Sequence, residues 1–216
     1  MSVCTEISAA LQAGRAKVVK ELVNQALADG VPPMEILNDG MLAGMDIVGE
    51  KFKNNEIYVP EVLIAARAMN AGMEILKPLL VASGQKSIGK VAIGTVKGDL
   101  HDIGKNLVKM MIEGKGIDVV DLGVDVSAEQ YMEAYKTQGV QIIACSALLT
   151  TTMNEMKNVV DLFTKEGVRD KVCILVGGAP ITDSFRESIG ADYYTPDAAS
   201  AADVAKKVLL EMNASA

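Results

Sequence analysis

The sequence predicts an α/β protein in two parts, an N-terminal helical bundle followed by a doubly wound, five-stranded parallel sheet. Three observations carry this. Residues 1–82 repeat apolar side chains at three- and four-residue spacing. From residue 87 onward, short uninterrupted apolar runs alternate with amphipathic segments of helical length. Between the two textures lies "ASGQKSIGK", small and polar, so the expected domains are residues 1–86 and 87–216.

In the first part, the opening dozen residues form one helix. Val18, Val19, Leu22, Val23, Ala26 and Leu27 form the inward face of a second, which stops at Gly30. Pro32 and Pro33 suit a helix start, and Met34, Leu37, Met41, Met45, Val48 and Phe52 continue from them. After "KNNEIYVPE", Pro60 opens another helix with Val62, Leu63, Ala66, Met69, Met73, Leu76 and Leu80 inward. The sum is about four helices, a small bundle. In the second part, "KVAIGTV", "IDVVDLG", "QIIACSA", "KVCILVGG" and "ADYYT" read as strands. Continuous apolar strands separated by helices imply a parallel sheet covered on both faces, and right-handed crossovers leave few topologies, chiefly the order 2-1-3-4-5.

The composition excludes several classes. Half of the 216 residues are hydrophobic, enough for a substantial core, so disorder is not expected. The formal charge is −7 and no basic run carries interleaved aromatics, which argues against nucleic acid. The N-terminus lacks a basic region followed by an apolar core, and no stretch approaches bilayer length, so a cytoplasmic protein without membrane contact is expected. Cys4, Cys145 and Cys173 show no C-x-x-C spacing; the last two lie within apolar strands and read as core residues.

Function should be sought where the strands end, because ligands of such sheets bind beyond their carboxyl ends, at the point where strand order reverses. The first strand runs into "KGDLHDIGKN", the third into "CSALLTTTM" and the fourth into "VGGAPIT", which would line one crevice. His101 is the sole histidine, so neither a two-histidine zinc site nor a paired-histidine dyad can be built. Asp99, two residues earlier, is near enough to accept one ring N–H, fixing the tautomer and making the other nitrogen a better donor. That suits a single axial ligand to a metal that brings its other ligands with it. The plain alternative is a histidine before a helix, bonded to Asp99 and doing nothing more. Likewise Ser146, Thr150, Thr151 and Thr152 could cap the following helix, and Gly177 and Gly178 could simply turn the chain.

Taken together, "DLHDIG", "SALLTTT" and "VGGA", in this order and at these intervals, closely resemble the corrinoid-binding, Rossmann-like domain of cobalamin-dependent methyltransferases and mutases. "GEKFKNNEIYVPEVLIAARAM" resembles the helical cap that precedes that domain in methyl-transferring members such as methionine synthase. The resemblance spans nearly the whole chain. It implies one cobalamin or related corrinoid per chain, bound with its own base displaced and His101 coordinating cobalt from below. Asp99 matches the carboxylate bonded to that histidine, and Thr152 stands where the family often has a serine completing the relay. Asp102, Ile103, Gly104, Ser146, Leu148, Thr150, Gly177, Gly178 and Ala179 match positions around the displaced tail and the lower ring face, where glycine leaves room. Phe52 and Val59 match apolar positions over the upper face. The implied function is that of a methyl carrier, inert alone and working with a substrate-specific methyltransferase, a second methyltransferase acting on tetrahydrofolate or a thiol, and a reductive activase. The rivals are a cobalamin-dependent sensor or regulator, which usually adds a signalling or DNA-binding segment not visible here, and the small subunit of a mutase, against which the cap argues. A receiver or flavodoxin-like domain is a third; a receiver needs an Asp where this chain has Ser146, and no Gly-x-Gly-x-x-Gly follows the first strand.

Overall fold

A computed structural model describes residues 2–83 and 87–214. The chain divides into two compact units, Met1–Ser87 with Gly114–Gly116, and Ile88–Glu113 with Ile117–Ala216. The expected boundary between residues 86 and 87 falls beside residues 84–86, which lie outside the described residues.

The first unit is helical. Helix α1 (Val3–Gln12) starts at Ser2, whose hydroxyl oxygen accepts from the Thr5 N–H at 3.2 Å. Helix α2 spans Ala16–Ala28. The single turn α3 (Pro33–Glu35) passes into a π-helical stretch, Ile36–Leu42, and then into α4 (Ala43–Lys53). Nothing in the apolar spacing announces that widened stretch; a Cβ on Gly40 would lie 3.1 Å from the Ile7 side chain, so α1 approaches it closely. Helix α5 (Val59–Ala82) begins with the Glu61 carboxylate accepting from the Tyr58 N–H at 3.0 Å. Ile7, Leu11, Val19, Val23, Ile36, Met41, Met45 and Leu76 fill the interior. Two residues expected inward are exposed, Val18 and Leu63. Helix α2 needs only Val19, Val23 and Ala26, at i, i+4 and i+7, to pack, and Val18 lies about 100° around the helix from Val19.

The second unit holds five parallel strands in the order β2-β1-β3-β4-β5, the expected arrangement. They are β1 (Lys90–Val96), β2 (Asp118–Val126), β3 (Ile142–Ser146), β4 (Cys173–Gly177) and the two-residue β5 (Tyr193–Tyr194). Strand β2 runs past the predicted "IDVVDLG" because it bulges. Ile93 pairs with Asp121, Gly94 with Gly123 and Val96 with Val126, so β2 spends five steps where β1 spends three. Helices α6 (Ile103–Glu113), α7 (Ala128–Gln138), α8 (Asn154–Lys165), α9 (Asp183–Ile189) and α10 (Ala198–Ala214) complete the unit. Ala92, Val96, Ile143, Ile174 and Val176 pack with Tyr131, Met156 and Phe163 of α7 and α8. The alternate residues Val91, Ile93, Ile142 and Leu175 are equally buried and point to the other face, where α6 packs with α10. Both faces are therefore covered, which is why these strands read as continuous apolar runs. The three cysteines are free and buried, and burial pushes the thiols of Cys145 and Cys173 up to about 12. Among the described residues, no helix is long and apolar enough to cross a membrane.

Candidate functional site

The parallel register brings Thr95, Ser146 and Gly177 into one row across β1, β3 and β4 at their carboxyl ends. The loops that leave this row carry the predicted residues. Strand β1 turns through Gly98, whose φ of +80° a side chain would resist, and delivers Asp99 and His101 ahead of α6.

Asp99 is the hub of the site. Its side chain has no solvent exposure, while the His101 side chain is 51 % exposed. Asp99 Oδ1 accepts from the His101 backbone N–H at 3.1 Å and lies 2.7 Å from His101 Nδ1. Asp99 Oδ2 accepts from the backbone N–H groups of Leu148 at 2.8 Å and Leu149 at 3.2 Å. The Thr152 hydroxyl lies 2.9 Å from Asp99 Oδ2 and equally 2.9 Å from the Leu149 carbonyl; its single proton can be shared, but the charged oxygen is the stronger acceptor. Burial by itself raises the Asp99 pKa. The hydrogen bonds from the Leu148 N–H, the His101 ring and N–H, and the Leu149 N–H outweigh it and hold the carboxyl well below the usual carboxylate range. An anionic Asp99 is an acceptor only, so the proton of the 2.7 Å contact belongs to His101 Nδ1. In the neutral imidazole Nε2 then carries the lone pair, on a half-exposed ring.

This corrects the plain capping reading of Thr152. Met153 stands at the N-cap of α8 and gives no side-chain cap, and the Thr152 hydroxyl is spent on Asp99 and Leu149 instead. Sequence reasoning missed Thr95: fully buried, it donates from Oγ1 to the His101 carbonyl at 2.8 Å and pins the turn from inside. A threonine within an apolar strand run looks like an ordinary β-former, so nothing local marked it.

The other predicted residues divide. Leu148 and Thr150 stand exposed on the β3 loop, and Ser146 is half-buried at the end of β3. Asp102 and Ile103 precede and open α6; Asp102 accepts from the Asn106 side chain at 3.1 Å, and Ile103 is 78 % exposed. Gly104 and Gly178 are glycines for different reasons. A Cβ on Gly104 would meet nothing within 4 Å, whereas one on Gly178, at φ +133°, would lie 1.8 Å from the Ala147 carbonyl oxygen. The backbone itself therefore demands glycine at 178, a nearer cause than room for a ligand. Ala179 follows it, exposed. Phe52 and Val59 belong to the helical unit, at the end of α4 and the start of α5, both half-buried.

Residues 89–204 match the B12 binding domain family, and residues 3–77 match a second family described as a B12 binding domain. The chain belongs to the B12-binding family. It is 43 % identical to the trimethylamine corrinoid protein of Methanosarcina barkeri over 199 residues, 91 % of this chain and 90 % of that one. Among solved structures it resembles the methanol:cobalamin methyltransferase complex of Methanosarcina barkeri, with TM-score 0.87, 31 % identity, and coverage of 96 % of this chain and 80 % of that one. It also resembles a cobalamin-binding protein from Desulfitobacterium hafniense, with TM-score 0.80, 28 % identity, and coverage of 96 % and 98 %.

The residues of this B12-binding domain fit a corrinoid on two counts. Leu100, Ile103, Leu148 and Leu149 all stand exposed around a loop pair whose polar groups are bonded inward, an apolar rim that the core does not need. Gly104, three residues after His101 and exposed, has no atom within 4 Å of where a Cβ would stand, and the backbone there does not require glycine. Among the described residues, no cluster of three or more His, Cys, Asp or Glu could hold a metal ion.

Proposed function

We propose that this chain carries a methyl group on the cobalt of one bound corrinoid, receiving it from a substrate-specific methyltransferase and surrendering it to a second methyltransferase that serves tetrahydrofolate or a thiol. A reductive activase restores cobalt when it is oxidised, and the carrier works in the cytoplasm. The relatives named trimethylamine and dimethylamine corrinoid proteins, and the methanol:cobalamin methyltransferase complex, support a methylamine or methanol as donor. The single observation that carries the reading is the half-exposed imidazole of His101, its Nδ1 fixed 2.7 Å from a buried Asp99 and its Nε2 left free to coordinate.

When bound, a corrinoid supplies a cobalt centre nucleophilic enough to take a methyl group and able to give it up to a second nucleophile. The chain's own residues position and screen it. Asp99 holds the Nδ1–H tautomer, so Nε2 presents a lone pair. Thr152 and the Leu148 and Leu149 amides keep Asp99 ionised, so it serves as counter-ion whenever Nε2 gains a proton. Gly104, Ser146, Leu148, Thr150, Gly177, Gly178 and Ala179 would line a bound corrinoid, and Phe52 and Val59 of the helical unit are the apolar residues that would keep water from it.

The test is paramagnetic resonance of the reconstituted protein in its cobalt(II) state, with histidine labelled by ¹⁵N. A nitrogen triplet that becomes a doublet on labelling, and that His101→Ala abolishes without loss of fold, is the expected result. A triplet that survives labelling means the corrinoid keeps its own base and overturns the coordination. Methylation of the reduced protein by donor-specific methyltransferases, tried one by one, then identifies the donor.

A further inference from the structure

Strand β2 is the edge strand beside the His101 loop, and its carboxyl end is costly to build. Two register shifts separate Asp121 from Val126, although bulges are rare in parallel sheets. Gly123 lies at φ +84°, and Asp125 lies at φ +55°, one of two non-glycine residues with positive φ among the described residues. A residue in that region is tolerated only where its surroundings hold it there. What the distortion achieves is visible in two contacts. The Asp125 carboxylate accepts from the Gly98 N–H at 2.7 Å, and the Asp125 N–H donates to the Asp99 carbonyl at 3.0 Å. One residue, a strand away, thus grips the two peptide groups that flank the Gly98–Asp99 bond. The side chains of Gly98's successors, Asp99 and His101, are the pair on which the site depends.

We infer that Asp125 is a positioning residue for His101: its carboxylate clamps the Gly98 amide, fixes the left-handed turn at Gly98, and so sets where the Asp99 and His101 side chains emerge. Neither charge nor contact with the ring is required of it. Asp99 is fixed from the other direction by the β3 loop, and Thr95 holds the His101 carbonyl from within. Asp125 reaches the turn from β2. The purpose of the clamp rests on the coordination proposed above, while its existence does not.

The test uses three variants whose backbones separate strain from hydrogen bonding. Asn tolerates φ +55° and keeps an acceptor oxygen, Gly tolerates it without one, and Ala has neither advantage. In the protein without corrinoid, amide hydrogen exchange at Gly98 is expected to quicken about tenfold in Asp125→Gly and Asp125→Ala, with Asp125→Asn close to the native rate. After loading with cobalamin and reduction to cobalt(II), the histidine nitrogen signal is expected to weaken in the Gly variant and recover in the Asn variant. Circular dichroism confirms the fold in each; if the Ala variant does not fold, the Gly and Asn pair decides. Native exchange in the Gly variant overturns the clamp. Fast exchange with an undiminished histidine signal overturns its positioning role. A native protein without that signal overturns the coordination reading, and the exchange rates still decide whether the clamp exists.

Discussion

The loops after β1 and β4 both carry a glycine at the candidate site, and the two glycines answer to different physics. At Gly178 the chain is pressed against the Ala147 carbonyl, so no other residue fits even in the empty protein. At Gly104 the first turn of α6 tolerates any residue, and the space beside it is open. The β4 loop therefore contributes a rigid wall that folding already requires. The segment after β1 contributes an exposed glycine that folding does not require, three residues after His101, whose partner Asp99 is held by four hydrogen-bonding groups. A motif glycine is evidence for a ligand only where the fold can spare it.

The sharpest way to break this comparison is Gly178→Val. Its Cβ falls 1.8 Å from a backbone oxygen at φ +133°, so urea unfolding of the corrinoid-free protein should show a loss of about 3 kcal/mol or more. Unchanged stability would mean that the β3 and β4 loops are not pressed together. An intermediate effect is expected at Asp121 of β2, whose carboxylate lies 2.6 Å from the buried Lys105 ammonium and 3.2 Å from that of Lys109. Burial raises the Asp121 pKa, but the Lys105 hydrogen bond, the Gly123 N–H and Lys109 bring it below the ordinary value. A carboxyl depressed in the folded state stabilises above its unfolded pKa and loses that contribution as pH falls. Asp121→Asn should therefore cost about 1–2 kcal/mol near neutrality, the gap to the native protein closing below about pH 4. A gap that stays constant down to pH 3 would dissociate the pair from stability. The smallest change in stability is expected for Gly104→Ala, within about 0.5 kcal/mol of the native protein or slightly above it. The same variant should lose corrinoid on dialysis; full retention would remove Gly104 from the site.

The pairing of Asp99 with His101 was legible because both residues sit in one short stretch, two apart, where strand gives way to helix. The strand order was legible because continuous apolar runs separated by helices admit few right-handed arrangements. What escaped was long-range. Asp125 lies beyond the apparent end of "IDVVDLG", since Gly123 and the bulges break the strand pattern there. Lys105 reads as a solvent-facing helix residue, yet it is buried against Asp121, sixteen residues away along the chain. The widened helical turn at Ile36–Leu42 leaves no trace in spacing, because its cause is the neighbouring helix. Strand order placed the two loops in one crevice, but Thr152 was legible only as a hydroxyl there, and its pairing with Asp99, fifty-three residues distant, came from the family resemblance.

The carboxylate of Asp99 ties a loop at residue 101 to a loop at residues 148–152 through bonds to both. The imidazole is consequently no free lever. A displacement of the ring is coupled through the anion to a segment about fifty residues downstream, so the two loops cannot shift independently without breaking one of these bonds.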